Sequence, residues 1–448
     1  NGYPTLDLSG MDPARCEPFQ ARDQYLQARC PETLVRTYAM HWPNYQRETA
    51  RNIRRSPFYH SLREQGACFT EAQGWERPGW YAPEGVAPQY EYSFGRQNWF
   101  EYALEEQRAA RERVAIVDYS MLGKISVEGS GAEAFLQRVC TNNVAMSCGR
   151  IAYTLLLNER GGIESDVTVA RYANDRYMVM SSIARTRRDY LWLASLIEPD
   201  EQVRLRDETA SLGVLGVMGP QSRALMAAVT ELDVSNEAFP FNRFYDCHIG
   251  HAKVTAQRLS YSGELGWEIM VTPDFAEHVL DRLLSAGAPL GVKLLGSEAL
   301  NALRIEKGFL HWGHDMAYTE SPHQVGLDFT CKTDKSPAFI GREAYLRRKA
   351  EASGPYLCAV KLKDSAPLMH HNEPVLRDSQ VVGYVTSGAF SAHFHCAVGL
   401  CFIDLPAGAQ GKAAIASGEY TVMIEGEPIA AEVSVQSFYD PLNERMLS

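Results

Sequence analysis

A chain of 448 residues, 45% apolar and 22% charged, has the composition of a globular protein and is long enough for two or three domains. A net charge of -11 without clusters of Lys and Arg argues against nucleic-acid binding. No apolar run reaches about 18 residues, so no membrane partner is expected. Ten scattered cysteines without a C-x-x-C pair predict neither a metal site nor disulfides, but reduced thiols in the cytoplasm or, in a eukaryote, the mitochondrial matrix.

The first 88 residues differ in character from the rest of the chain. The sequence begins at Asn1 without a methionine and in an extended apolar run, which indicates the interior of a longer polypeptide. Residues 1–75 have a polar, helical pattern with an Arg-rich amphipathic run at 48–62. Residues 74–88 are dense in aromatic residues, Pro and Gly, which predicts irregular structure and a first domain boundary.

Helices and strands alternate after that boundary. A helix is predicted at 101–113, followed by a first round with strand 123–127, helix 131–139, strands 153–157, 163–170 and 177–180, and helix 185–197. The second round has strand 213–218, helix 220–229, strands 251–259 and 267–271, and helix 275–286. This repetition predicts two related α+β units. From about residue 355, short apolar segments separated by turns such as 408–411 predict a small antiparallel β domain.

The predicted hairpin of the first round carries a carboxylate, Asp166, shortly after a glycine-containing turn at 158–162. Because side chains alternate along a strand, two faces are predicted. One face would hold Ile163, Ser165, Val167 and Val169, and the other would hold Glu164, Asp166, Thr168 and Ala170. Asp166 is therefore expected on a polar face, where the pattern alone favours a solvated carboxylate over a functional one.

Two other charged residues have simple structural interpretations. Glu264 lies between two glycines in the loop that follows Tyr261, as a solvated loop acid would. Arg304 lies near the end of a short helix that Ser297 opens and Gly308 closes, where a cation complements the helix dipole. The histidine pairs lack the carboxylate or thiolate spacing of a metal site, and no G-x-G-x-x-G dinucleotide motif is present.

Six ordered motifs are together far more specific than any single residue. They are Asn158-x-x-Gly-Gly-Ile-x-Ser-Asp, Tyr261-x-Gly-Glu-x-Gly-x-Glu268, Leu303-Arg-Ile-Glu-Lys-Gly, Ser321-Pro322, Phe339-Ile-Gly-Arg-Glu-Ala and Gly383-x-x-Thr-Ser-Gly388. The set resembles the aminomethyltransferase, or T-protein, of the glycine cleavage system over roughly residues 95–448. The resemblance implies an α+β cloverleaf of two related folate-binding units and a C-terminal β-barrel.

A second set of motifs, in the N-terminal part, resembles the dimethylglycine and sarcosine dehydrogenases, in which an FAD-binding domain precedes a T-protein-like half. These motifs are Tyr38-x-x-His-Trp-Pro, Arg55-Ser-Pro-x-Tyr, Gly66-Ala, Gly74-Trp-Glu-Arg-Pro and Asn98-Trp-Phe. We therefore expect a segment of a flavin oxidoreductase domain at 1–88, an aminomethyltransferase folate-binding domain at 89–350 and the barrel domain at 351–448. FAD would belong to an N-terminal half or subunit outside this chain.

The resemblance also implies a reaction and the residues that carry it. The flavin half would oxidise an N-methylated amino acid or related amine, and this half would transfer the one-carbon unit to tetrahydrofolate, giving methylene-tetrahydrofolate. Asp166 matches the essential catalytic aspartate beside the folate nitrogens. The folate would be bound by Tyr153 and Tyr261, by Glu264 at its amino-pyrimidine edge, and by Arg304 at its glutamate carboxylate.

One departure from the T-protein pattern bears on the choice between functions. The T-protein commonly has two adjacent aspartates at the hairpin, whereas the first is Ser165 here, which favours the dehydrogenase branch. Two alternatives stay open: a flavin-independent tetrahydrofolate methyltransferase or demethylase, and a non-catalytic regulator like the regulatory subunit of pyruvate dehydrogenase phosphatase. The joint presence of Asp166, Glu264 and Arg304 weighs against a regulator.

Overall fold

The computed structural model describes residues 8–351, 354–405, 412–415 and 418–448. The predicted N-terminal extended run up to residue 7 and the predicted turn at 408–411 lie outside the described residues. The chain divides into two compact units, which we describe separately. The first unit consists of Asn1–Pro13, Gly123–Asp207 and Arg304–Leu442, and the second of Ala14–Leu122, Glu208–Leu303 and Asn443–Ser448.

The first unit contains a five-stranded antiparallel sheet. Its strand order is Ile151–Leu157, Ile163–Ala173, Arg176–Ser181, Gly123–Glu128 and Arg204–Asp207. The helices Ala132–Val139 and Thr186–Ser195 belong to this unit. Phe135 and Leu193 from these helices share a core cluster with Val169 of the sheet, so their apolar faces pack on it.

A closed β-barrel also belongs to the first unit. Among the described residues, six strands form it in the order Tyr356–Leu362, Cys396–Ile403, Gln380–Ser391, Pro374–Arg377, Tyr420–Ile424 and Glu427–Ser434. Alternate residues of the first strand, Cys358, Val360 and Leu362, are buried in its core. The helix Arg342–Glu351 precedes the barrel. The predicted antiparallel β domain is thereby confirmed as a barrel.

The second unit contains a six-stranded sheet. Its order is Phe244–Ile249, Ala252–Gln257, Gly266–Val271, Gly213–Met218, Ala115–Asp118 and Lys293–Leu294, and the last pair is parallel. The helix Ser222–Val229 follows strand Gly213–Met218. The helix Ala276–Gly287 follows the meander of three strands that ends with Gly266–Val271. The same order of strand, helix, meander and helix occurs in the first unit, which confirms the predicted pair of related α+β folds. Strand Phe244–Ile249 was not predicted from the sequence.

The remaining elements lie before and after these sheets. The helices are Asp23–Arg36, Tyr59–Glu64, Phe100–Glu112, Ser297–Lys307 and Glu444–Leu447, and a small sheet has the order Arg54–Arg55, Trp75–Tyr81 and Ala67–Ala72. Short 3-10 helices are Ser9–Met11, Pro13–Arg15, Pro18–Ala21, Thr209–Ser211, Pro273–Phe275, Ala288–Leu290, Asp328–Thr330 and Lys412–Ile415. In the described part of the chain no helix is long and apolar enough to cross a membrane.

Two predictions for the N-terminal segment were wrong. The amphipathic run at 48–62 is helical only from Tyr59, because Pro57 cannot continue a helix from the preceding residues. The segment 74–88 is not irregular throughout, since Trp75–Tyr81 is a strand whose two tryptophans are buried. Phe58 and Leu62 lie in the core cluster of the six-stranded sheet. The proposed domain boundaries at 88/89 and 350/351 stay predictions.

Candidate functional site

The hairpin that carries Asp166 is closed by a turn that needs both of its glycines. The Asn158 side-chain oxygen accepts hydrogen bonds from the N–H groups of Arg160 and Gly162, each at 3.0 Å. Gly161 has a φ of +75°, which only glycine adopts without strain. A Cβ on Gly162 would lie 1.7 Å from the carbonyl oxygen of Tyr318, so this residue must lack a side chain.

A β-bulge follows the turn and changes which side chains share a face. Leu156 pairs with Ser165 and Leu157 pairs with Ile163, so Glu164 is the extra residue. Ile163 therefore lies on the face of Asp166, and the predicted grouping of Ile163 with Ser165 was wrong.

The expected polar face was also wrong. Asp166 lies directly opposite Leu155. Leu155 and Ile163 are both fully buried and belong to one apolar cluster. Asp166 therefore stands among apolar neighbours at a half-buried position, where water solvates its charge incompletely.

The Asp166 carboxylate has one hydroxyl partner and an environment that opposes its charge. The Tyr153 hydroxyl donates a hydrogen bond to Asp166 Oδ2 at 3.1 Å. The pKa of Asp166 is raised from 3.8 to about 6, because burial and the like charge of Asp189 together outweigh the hydrogen bond from Tyr153, which lowers it. The group is thereby tuned to exchange a proton near neutral pH, as a general acid or base requires.

An aromatic residue that the sequence did not indicate lies beside this pair. Phe329, in the 3-10 helix Asp328–Thr330, is 62% exposed, and its ring stacks with Tyr153 at a centroid distance of 6.4 Å. An exposed ring of this kind offers a surface on which a flat heterocycle can stack. The sequence did not indicate Phe329, because it is a single aromatic residue in a segment without the periodicity of a helix or a strand.

Arg304 forms a buried ion pair with Asp315 and belongs to the same unit as Asp166. Its guanidinium bonds to Asp315, donates to Ser387 Oγ at 2.8 Å and to the Phe309 carbonyl at 3.1 Å. Both charged groups are at most 2% exposed. Burial opposes the ionisation of Asp315, but Arg304 and the hydroxyl of Thr386 outweigh it and hold the pKa of Asp315 below its ordinary value.

The other charged residues of the Leu303–Gly308 motif also have partners within the protein. Glu306 accepts a hydrogen bond from the Ser391 hydroxyl, and Lys307 lies 3.0 Å from Asp440. Thr386 and Ser387, which reach the Arg304–Asp315 pair, come from the Gly383–Gly388 motif. Two of the six motifs are therefore explained in part by a buried polar network that joins the Arg304 helix to the barrel.

Glu264 and Tyr261 belong to the second unit. Glu264 is 1% exposed and lies 3.1 Å from Arg111 and 3.4 Å from Arg445. The expectation of a solvated loop acid was therefore wrong, because the loop is buried and two arginines compensate the charge. Tyr261 is half-buried in the same loop.

A second carboxylate of that motif, Glu268, received no role from the sequence. It is buried on strand Gly266–Val271, opposite Gln257 on one neighbouring strand and Gly216 on the other. Burial raises the pKa of Tyr119 well above its ordinary value, and the charges of Glu268 and Tyr261 add to this rise. Glu268, Tyr119 and Tyr261 are thus electrostatic neighbours in the second unit.

The five residues predicted for the site are divided between the two units. Asp166 and Tyr153 are hydrogen-bonded, Arg304 belongs to the same unit, and Glu264 and Tyr261 belong to the other. In the described ranges, no group of three or more His, Cys, Asp or Glu side chains is arranged to hold a metal ion.

Three family models match the chain. The GCVT N-terminal domain matches residues 58–335, the glycine cleavage T-protein C-terminal barrel domain matches 356–440, and the FAD dependent oxidoreductase central domain matches 1–56. These matches confirm the resemblance that the motifs indicate, including the flavin oxidoreductase fragment at the N-terminus.

Individual relatives agree with the family models. The chain is 39% identical over its whole length to 4-methylaminobutanoate oxidase (formaldehyde-forming) of Paenarthrobacter nicotinovorans and 31% identical to mitochondrial sarcosine dehydrogenase of Homo sapiens. It covers 53% of each, so the chain spans about half the length of these relatives. The solved aminomethyltransferase T of the glycine cleavage system from Bartonella henselae has a TM-score of 0.73 at 22% identity and covers 87% of this chain and 99% of its own, which shows a common fold.

Proposed function

Because the chain belongs to the GCVT N-terminal domain family, we propose that it is the tetrahydrofolate-binding half of an N-methyl amine dehydrogenase. It would transfer the one-carbon unit of an oxidised methylamine to tetrahydrofolate and so give methylene-tetrahydrofolate. The observation that carries this proposal is Asp166, a half-buried carboxylate whose pKa of about 6 suits proton transfer near neutral pH.

Bound tetrahydrofolate would supply the amine nitrogens that take up the one-carbon unit. Asp166 would orient the reacting amine, stabilise positive charge that develops beside it and accept its proton. The Tyr153 hydroxyl, 3.1 Å from Asp166, would fix the orientation of that carboxylate. A preorganised charge of this kind is worth about 3 kcal/mol in the transition state.

Other residues would hold the folate. Tyr153 and Phe329 offer stacked rings for its aromatic parts. Arg304 would pair with the glutamate carboxylate, although the partners described above are protein groups. At the pterin edge we retain Glu264 as a proposed acceptor, with Tyr261 beside it, and add Glu268, since the two arginines beside Glu264 already compensate its charge.

The oxidation of the amine by flavin would take place in a part of the protein separate from the folate-binding residues. Residues 1–56 match the central domain of FAD dependent oxidoreductases, and the matched relatives are about twice as long as this chain. We therefore propose FAD as the second cofactor, bound in a separate flavin-binding part, and an N-methylated amino acid or related amine as the substrate. The compartment would be the cytoplasm or the mitochondrial matrix.

Isothermal titration of the purified chain with tetrahydrofolate tests the proposal. We expect saturable binding to the unmodified chain and weaker binding to Asp166→Ala. Asp200→Asn removes a negative charge from an exposed position of the same unit and is the matched control, which should bind as the unmodified chain does. A folded chain that gives no heat of binding would refute the proposed function.

The same assay discriminates between the two candidate carboxylates of the second unit. Glu264→Gln and Glu268→Gln each remove one negative charge and keep the side-chain shape. If Glu268 accepts from the pterin, its variant should bind tetrahydrofolate at least about tenfold more weakly, as expected when a charged hydrogen-bond partner is lost. Glu264→Gln should reduce stability in either case, because Arg111 and Arg445 lose their counter-charge, and it should weaken binding as strongly if Glu264 is the acceptor.

Product analysis separates the proposed function from its alternatives. A flavin-independent demethylase would form methyl-tetrahydrofolate when the chain is incubated with a sulfonium or methoxy donor. The dehydrogenase half would form none. A non-catalytic regulator would fail to bind folate at all, so the titration also tests that alternative.

A further inference from the structure

A cluster of buried polar groups lies beside Asp166, and the proposed chemistry does not use it. Its core is Asp189, which is 1% exposed on the helix Thr186–Ser195. The Ser165 hydroxyl donates to Asp189 Oδ2 at 2.6 Å, and the Ser181 hydroxyl donates to the same oxygen. Arg185 lies 3.4 Å from the other carboxylate oxygen.

The first turn of this helix, with the N-cap residue Arg185 just before it, contacts the β-bulge that precedes Asp166. Arg185, Arg188 and Asp189 have the i, i+3, i+4 spacing that puts side chains on one face. Arg185 donates to the Glu164 carbonyl at 2.6 Å, Arg188 pairs with the Glu164 carboxylate at 2.6 Å, and Asp189 binds Ser165. Each contact is made to one of the two residues immediately before Asp166.

These contacts satisfy backbone groups that the bulge leaves outside the sheet. A bulge leaves backbone groups outside the regular ladder, and a buried carbonyl without a partner is costly. Arg185 satisfies the carbonyl of Glu164, and its guanidinium lies 3.6 Å from the centre of the Trp312 ring, which limits its own movement. Trp312 in turn donates to the Ile163 carbonyl at 3.0 Å. The backbone carbonyls of Ile163 and Glu164 and the side chain of Ser165 are therefore each held by a hydrogen bond.

From these contacts we propose that Asp189 is a positioning residue for Asp166: with Arg185 and Arg188 it fixes the bulge at Glu164 and Ser165 and thereby the placement of the adjacent catalytic carboxylate. The inference rests on the proposed role of Asp166. It also explains Ser165, because an aspartate there would direct a second carboxylate at Asp189 in a buried site, where like charges repel strongly.

The positioning network also affects the charge state of Asp166. The groups that act on Asp166 are the Tyr153 hydroxyl, the carboxylate of Asp189 and the guanidinium of Arg185. Burial raises the pKa of Asp189, while Arg185 and Arg188 at the start of its helix and the hydroxyls of Ser165 and Ser181 from the sheet lower it. Replacing Asp189 by Asn removes the like charge and leaves Arg185 uncompensated, so both changes favour the ionised form of Asp166.

The test is a direct titration of Asp166 in the whole chain by carboxyl ¹³C NMR with labelled aspartate. The Asp166 signal is assigned by its loss in Asp166→Asn. In Asp189→Asn we expect the pKa of Asp166 to fall from about 6 toward 3.8. Asp200→Asn, which removes an exposed charge from the same unit, should leave it unchanged. An unchanged Asp166 titration in folded Asp189→Asn would overturn the proposal.

A second variant covers the case in which Asp189→Asn does not fold. Ser165→Ala deletes one hydroxyl donor to Asp189 and keeps every charge. We expect a displaced Asp166 carboxyl resonance and a lower pKa of Asp166, because Asp189 then ionises less readily. An Asp166 resonance and pKa equal to those of the unmodified chain would contradict the proposal. Tetrahydrofolate binding, measured in parallel, tests the proposed function separately, since the titration needs no folate.

Discussion

Replacing Asp166 by Asn should stabilise the first unit at neutral pH. The folded pKa of Asp166, about 6, exceeds the value of 3.8 that it would have in the unfolded chain. The folded state therefore binds this proton more tightly, and the resulting stability is fully present below pH 3.8 and is lost as the pH rises through 6. Above that range the ionised carboxylate destabilises the fold, and Asn, which cannot ionise, does not.

The pKa difference sets the size of the effect. A rise from 3.8 to about 6 corresponds to at most about 3 kcal/mol. Asp166 is only half-buried, so water screens part of this energy, and we expect about 1–2 kcal/mol at pH 7.5. The amide oxygen of the substituted Asn can still accept the Tyr153 hydrogen bond, so little is lost in exchange. The gain should disappear below about pH 3, where Asp166 is protonated in both states.

Hydrogen–deuterium exchange of peptides that cover Ile151–Ala173 is a suitable assay, since it reports local opening in a chain whose two units need not unfold together. Protection should increase in Asp166→Asn at pH 7.5 and match the unmodified chain at about pH 3, after correction for intrinsic exchange. Asp200→Asn should change protection at neither pH. Equal protection of Asp166→Asn and the unmodified chain at pH 7.5 would refute the reasoning.

Three further predictions follow from other contacts. Arg304→Ala should lower the free energy of unfolding by about 3–5 kcal/mol, because Asp315 is left as an unpaired buried charge. The measurement is the urea midpoint, and a midpoint like that of the unmodified chain would contradict this. Gly162→Ala should lower the melting temperature, whereas Gly95→Ala, with only a side-chain oxygen at 3.6 Å, should not. Phe329→Ala should weaken tetrahydrofolate binding about tenfold without loss of stability, while Phe94→Ala, another exposed ring, should affect neither.

Local patterns predicted most of the fold. The helices at 101–113, 185–197 and 275–286 have boundaries within two residues of those observed, because amphipathic spacing identifies elements that pack on a sheet. Strand Phe244–Ile249 was missed because its apolar residues do not alternate regularly with polar ones. In the structure only its two terminal residues are buried. Strand Trp75–Tyr81 was missed because Pro78 and two glycines nearby are typical of loops, and its tertiary burial overrides that composition.

The site was less predictable, because a single inserted residue decides its geometry. Strict alternation put Ile163 with Ser165, and the bulge at Glu164 reverses that assignment. Nothing in the local sequence indicates the bulge, whose residues Glu164 and Ser165 contact Arg185, Arg188 and Asp189, more than twenty residues further along the chain. Long-range contacts of this kind have no local pattern.

Electrostatics separates residues that stabilise the fold from the one suited to chemistry. Asp315 is fully buried, yet Arg304 and three further donors keep its pKa low, so its charge is compensated within the protein. Asp166 is less buried, yet its surroundings oppose its charge and raise its pKa. A protein loses stability by keeping such a carboxylate, which is expected only where the carboxylate has a function that Asn cannot perform. Among the charged motif residues, Asp166 is therefore the strongest catalytic candidate, whereas the charge of Asp315 beside Arg304 is compensated as a structural ion pair requires.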